Sequence, residues 1–212
     1  MPGLDDRNRR EADLAAALLS LFQDYDDATQ IDWAVLQGEL EAILGQHLAD
    51  TYRASFEQLR DQLELDLSDA DLERGGTGLD AKATDWADKY SNELAALIVA
   101  NTQGKLQEQQ AAGEEIDLSN QFDKARADRI AITETTRSIT AGEFGVVSTA
   151  IGLGLMTGNE AIWRTAEDEL VCEECAPLNG QPQDVWSLEA PAGPPLHVNC
   201  RCELDYQMGM LE

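Results

Sequence analysis

Between positions 5 and 74 the hydrophobic residues recur at intervals of three and four, first as Leu14, Leu18, Leu21 and Phe22, then as Leu36, Leu40, Ile43, Leu44 and Leu48. That spacing gathers them on single helix faces and predicts two or three amphipathic helices. Asp32 is placed to cap the second of these, since its carboxylate can accept from the first free amides. Breaks are expected at residues 24–29 and at Gly75-Gly76-Thr77-Gly78, the clearest hinge. A further long helix is predicted from Asp80 through Trp86, Tyr90, Leu94, Leu97 and Ile98 to Leu106, with Gly113 ending it. Trp86 and Tyr90 read as core side chains of that helix.

The pattern then changes. Asp117-Leu118-Ser119 offers a cap for a helix passing through Phe122 and residues 129–137, and residues 140–155 are rich in small side chains that let a helix pack closely. Residues 161–166 alternate, which predicts a strand ending in the acidic turn Glu167-Asp168-Glu169. Leu178-Asn179-Gly180-Gln181 predicts a hairpin-like turn, because Asn and Gly tolerate positive φ. The segment from Pro191 to Pro195 predicts an extended, stiff arm delivering His197, and Cys202-Glu203-Leu204-Asp205-Tyr206 a closing strand. The expected architecture is mainly α (α+β), with N-terminal helices followed by a small C-terminal β element. Its expected parts are a helical region at 1–78, a long helix and linker at 79–118, and a C-terminal unit at 119–212.

A length of 212 residues suits one core with a helical extension, and no apolar run is long enough to span a bilayer. Fifteen Lys and Arg against 41 Asp and Glu give a net charge of −26, which repels phosphate backbones and anionic lipid. Direct nucleic-acid or membrane binding is therefore not expected. The acidity is read either as a solvated surface suited to solubility or a salty habitat, or as a face that docks on a basic partner.

All four cysteines and one of the two histidines fall in the last forty-one residues, as Cys172-Glu173-Glu174-Cys175 and His197-Val198-Asn199-Cys200-Arg201-Cys202. Two pairs with two-residue gaps can aim soft donors at one ion, and thiolate with imidazole suits zinc. Cys172, Cys175, His197 and Cys200 are the favoured ligands of a zinc knuckle, with Cys202 the alternative fourth. Four protein ligands would leave no position for water, so a structural role is expected. Disulfides, a redox dithiol and plain buried thiols stay open. The chain opens without a secretory signal pattern, which favours metal over disulfides, and the two glutamates between Cys172 and Cys175 disfavour an activated thiol.

Taken in order, Thr133-Glu134, Trp163-Arg164-Thr165, Asp168, Cys172-x-x-Cys175, Leu178-Asn179-Gly180 and His197-x-x-Cys200-Arg201-Cys202 resemble the phage head morphogenesis family related to the F protein of phage Mu. The resemblance covers roughly residues 120 to 206, and Val198 stands where the family usually has proline. It implies a non-enzymatic minor head protein of a tailed phage, associated with the portal protein, with the major capsid or scaffolding protein as further contacts. The implied location is the virion head near the portal, after assembly in the host cytoplasm. Within this region Trp163 is expected to pack the β element over the helices and Asp168 to hold the turn before Cys172. Arg201 is expected to neutralise the thiolates, and Glu134 with Arg137 to form a surface ion pair.

Two other functions compete. A zinc deaminase needs a His-x-Glu element before its Cys-x-x-Cys, whereas here the cysteine pair precedes His197, and His47 lacks the glutamate two residues on. A nucleic-acid-binding zinc ribbon needs a cationic footprint, and between Trp163 and Tyr206 only Arg164 and Arg201 are basic.

Overall fold

The structure is a computed structural model that describes residues 4–25, 31–74, 77–156, 159–165 and 172–208. Its elements in chain order are helices α1 (Leu4–Gln23), α2 (Trp33–Gln62), α3 (Asp69–Arg74), α4 (Leu79–Ala112) and α5 (Lys124–Gly152), strand β1 (Asn159–Arg164), the single turn α6 (Gln183–Trp186) and strand β2 (Glu203–Met208). Helix α2 packs against both α4 and α5, while α1 lies along α5. The leucines read from the sequence fill this core. Leu14, Leu18, Phe22, Leu36, Leu40, Leu44 and Leu48 are all fully buried.

The predicted ends of the long helices hold. Asp32 caps α2 by accepting from the amides of Ala34 and Val35, and Gly113 closes α4 at φ 69°, where an L side chain would be strained. Helix α5 starts later than Asp117-Leu118-Ser119. Asp117 instead accepts from the Ser119 amide at 2.9 Å and opens a 3-10 turn, and the cap is Asp123, which accepts from the Arg126 amide at 2.7 Å. Arg126 ties the corner together by donating to the carbonyls of Gln121 and Ile98.

Helix α5 is buried along most of its length, through small polar residues rather than leucines: Thr133, Thr135, Thr136, Ser138 and Thr140 all lie inside. Small side chains allow close approach to α2, where Ser55 donates to the Ile139 carbonyl at 2.8 Å. At Gly142 a Cβ would collide with the Tyr52 carbonyl oxygen. The expected small-residue helix is therefore a tight crossing.

Strands β1 and β2 pair antiparallel, with Ala161 opposite Tyr206 and Trp163 opposite Leu204. Alternation holds on both: Ala161, Trp163, Leu204 and Tyr206 are buried, while Ile162, Arg164 and Asp205 are more open, the last two forming an ion pair at 2.9 Å. Trp163 packs on Trp186 with ring centroids 5.9 Å apart, and Trp186 Nε1 donates to the Ala161 carbonyl at 2.7 Å. Trp163 is buried, and the partner it packs against is Trp186 of α6.

Two loops differ from expectation. The Leu178-Asn179-Gly180-Gln181 turn does not join two strands; it docks on the free edge of β1, where Gly180 N donates to Trp163 O at 2.8 Å and Trp163 N to Gln181 O at 3.0 Å. Gly180 takes φ 76°, as the turn reading requires. The segment from Pro191 to Pro195 is folded rather than extended, with Gly193 at φ 71° and a cis bond between Pro194 and Pro195. Proline content pointed to an arm, but contact with α5 decides the shape: a Cβ on Gly193 would lie 2.8 Å from Thr140 Cγ2.

Candidate metal centre

The fold brings all five predicted donors together. Cys172 and Cys175 bracket the turn before Ala176, and the segment from His197 to Cys202 leads from the folded proline loop into β2. They form two overlapping triads that share Cys175: Cys172 with Cys175 and His197, and Cys175 with Cys200 and Cys202, each with its donor atoms within 4.8 Å of one another. All four cysteines are free thiols. His197 Nε2 lies 2.8 Å from Cys172 Sγ and 3.2 Å from Cys175 Sγ, and Cys175 Sγ lies 3.8 Å from Cys200 Sγ. A tetrahedral zinc with sulfur ligands at about 2.3 Å requires a sulfur–sulfur edge of about 3.8 Å, so the last pair already stands at ligand spacing.

Local chemistry prepares these atoms for a cation. The Nδ1 of His197 faces the Val198 carbonyl at 2.7 Å, which places the ring proton there and turns the Nε2 lone pair toward the sulfurs. Hydrogen bonding from Cys202 holds the Cys200 thiol down at about 5, against the effect of burial. Burial and the neighbouring Cys200 push Cys175 up, and Cys202, having given its hydrogen bond to Cys200, is pushed up as well. Burial opposes ionisation of Cys172, yet amides of the turn, led by that of Cys175, bring it below its ordinary value. Crowded thiols that cannot all ionise together are what a divalent cation would relieve.

The loop carrying His197, Cys200 and Cys202 is gripped from behind. From α5, Thr133 Oγ1 accepts from the Asn199 amide at 3.0 Å and Thr136 Oγ1 donates to the Cys200 carbonyl at 2.8 Å. From α1, Arg7 Nη1 donates to the Arg201 carbonyl at 3.1 Å. Asn199 holds φ 64°, which an asparagine tolerates and which turns its amide toward Thr133.

Arg201 departs from expectation. Its guanidinium leaves the sulfurs and pairs with Glu11 Oε2 at 2.7 Å, because the buried Glu11 carboxylate on α1 is the nearest strong acceptor it is given. Glu134 and Arg137 also differ, since the pair is not a surface one. Glu134 is buried and accepts from Tyr90 Oη at 2.8 Å, Arg137 reaches it at 3.3 Å, and the Arg137 guanidinium lies over the Tyr90 ring. Burial raises the Glu134 carboxyl above its usual range, with Arg137 and Tyr90 opposing. Asp168 lies outside the described residues. His47 is half-buried on α2 and belongs to no donor cluster among the described residues.

Sequence reasoning did not find Arg7, Glu11, Thr136 or Trp186. Trp186 left a signal, a tryptophan inside a turn-rich segment. The other three lie in ordinary helical pattern and become visible only once α1 and α5 are side by side.

A mainly helical protein with a two-stranded cap and a thiol–imidazole cluster is the class that fold and site define. The sequence pattern of the family described as "Phage Mu protein F like protein" matches residues 34–205, and the chain belongs to that family, which is a type of structural phage head protein. The match reaches well beyond residues 120 to 206, taking in α2, α3 and α4 and leaving α1 outside it. Searches of curated proteins and of solved structures gave no match. Among the described residues no helix is long and apolar enough to cross a membrane.

Proposed function

We propose that this protein is a minor head protein of a tailed phage, bound at the portal vertex, whose C-terminal unit (119–212) is stapled by one structural zinc. Family membership over residues 34–205 carries the reading. The helical regions at 1–78 and 79–118 supply surface for the portal protein and for major capsid or scaffolding subunits, and the protein passes from the host cytoplasm into the virion. Its ligands are Cys172, Cys175, His197 and Cys200. These four are linked in a row by the contacts Cys172–His197, His197–Cys175 and Cys175–Cys200, and Cys202, which shares the second triad with Cys175 and Cys200, is the alternative fourth ligand. A site closed by four protein donors holds structure and leaves no open position for a substrate or water, which supports a role other than catalysis.

The net charge of −26 favours a basic partner surface and argues against direct binding to DNA. Co-expression with the portal protein of the same phage tests the proposal: a complex should co-purify and weaken as salt rises. A chain that remains alone at low salt contradicts it.

A further inference from the structure

Helix α1 is fastened to the cysteine loop by a buried network that hydrophobic packing alone does not require. Arg7, almost wholly buried, donates from Nε to Glu11 Oε1 at 3.1 Å, from Nη2 to Thr136 Oγ1 at 2.6 Å and from Nη1 to the Arg201 carbonyl. Glu11 uses its second oxygen for Arg201 Nη2. Thr136, the residue Arg7 donates to, itself donates to the Cys200 carbonyl. Two arginines and one carboxylate thus clamp the Cys200-Arg201 peptide from one side while the sulfurs of Cys200 and Cys202 face the donor cluster on the other.

We propose that metal loading of the cysteine–histidine cluster and docking of helix α1 are thermodynamically linked through this peptide. The inference rests on the zinc reading above. The Cys200 and Arg201 carbonyls are the loop's hydrogen-bonded ties to α5 and α1, so an ion that fixes the Cys200 sulfur also fixes the two carbonyls that Thr136 and Arg7 read. Losing the ion frees the loop, and Arg7 and Glu11 lose partners inside a buried site where unpaired charge is unfavourable. The response of lowest cost is for the first turns of α1, around Arg7 and Glu11, to loosen, since Leu14, Leu18 and Phe22 hold the rest of the helix in the core. Linkage is reciprocal: the factor by which zinc tightens α1 docking is the factor by which docking tightens zinc.

Hydrogen exchange of the full chain, with zinc and after chelation under reducing conditions, tests this. Amides in the first half of α1 should lose protection about tenfold or more on chelation while those buried between α2 and α4 keep theirs. In competition with a chromophoric chelator, Glu11→Gln and Arg201→Gln should each weaken zinc binding by a similar factor, although neither residue is a ligand; circular dichroism establishes that each variant is folded. Zinc that binds and leaves with α1 protection unchanged overturns the linkage and leaves the zinc reading standing. Uniform loss of protection across all helices overturns it too, and a chain that takes up no zinc overturns both.

Discussion

Thr136 and Cys200, sixty-four residues apart in the chain, are joined by a hydrogen bond of 2.8 Å from hydroxyl to carbonyl in a buried setting. This bond sets the cysteine loop against α5. The hydroxyl also lies 2.9 Å from the Ile132 carbonyl one turn back, so removing it leaves Arg7 and the loop carbonyl underpaired while the helix keeps its own ladder. Thr136→Val, which preserves shape, should lower stability by roughly 1–3 kcal/mol in urea titration. A variant as stable as the parent would show that the loop is held by other means.

The crossing of α2 and α5 predicts a sharp contrast between two glycines. Gly142→Ala places a methyl group against the Tyr52 carbonyl, a backbone atom that cannot swing aside, and should destabilise by several kcal/mol. Gly104→Ala meets open space in the middle of α4 and should stabilise by roughly 0.5–1 kcal/mol. Thermal melts of the two variants beside the parent measure both signs, and a tolerated Gly142→Ala would mean the helices stand further apart.

Glu143 predicts a pH dependence. Burial pushes its carboxyl up to about 8, Glu203 adds to the rise and Arg7 opposes it. One of its oxygens has no partner, and burial and this carboxylate together push the Tyr206 phenol up. An unfolded glutamate titrates near 4.5, so between that value and about 8 the folded chain holds the extra proton. The contribution of Glu143 to stability is then full below about pH 4.5 and is lost as pH rises through 8. Glu143→Gln should gain on the parent by a few kcal/mol over that interval in denaturant titrations. A difference that stays flat with pH would place the residue in a wetter setting.

The ligand set makes its own prediction. Cys200→Ser, like His197→Ala, should abolish tight zinc binding, whereas Cys202→Ser should retain about one zinc per chain. Loss of zinc from Cys202→Ser with retention in Cys172→Ser would shift the site to the triad of Cys175, Cys200 and Cys202 and its neighbour His197.

Much of this was legible in the chain because it depends on local rules. Leucines at three- and four-residue spacing marked the core faces of α1 and α2, Asp32 and Gly113 marked helix ends, and alternation marked β1. The five donors were found by residue type alone. What escaped depends on residues far apart. Arg201 between two cysteines suggested a thiolate partner until Glu11, from the opposite end of the chain, gave it a buried carboxylate. Glu134 looked like half of a surface pair because nothing in its own helix shows that Tyr90 covers it. The proline segment looked extended because its own sequence does not contain Thr140 and Phe144, the α5 side chains against which Gly193 folds.

The metal content of the purified protein decides whether zinc staples the C-terminal unit. Elemental analysis after gel filtration, paired with near-ultraviolet circular dichroism of the Trp163–Trp186 pair, should show about one zinc per chain and loss of the tryptophan signal on chelation. A chain free of metal whose C-terminal unit is nonetheless fully ordered would contradict it.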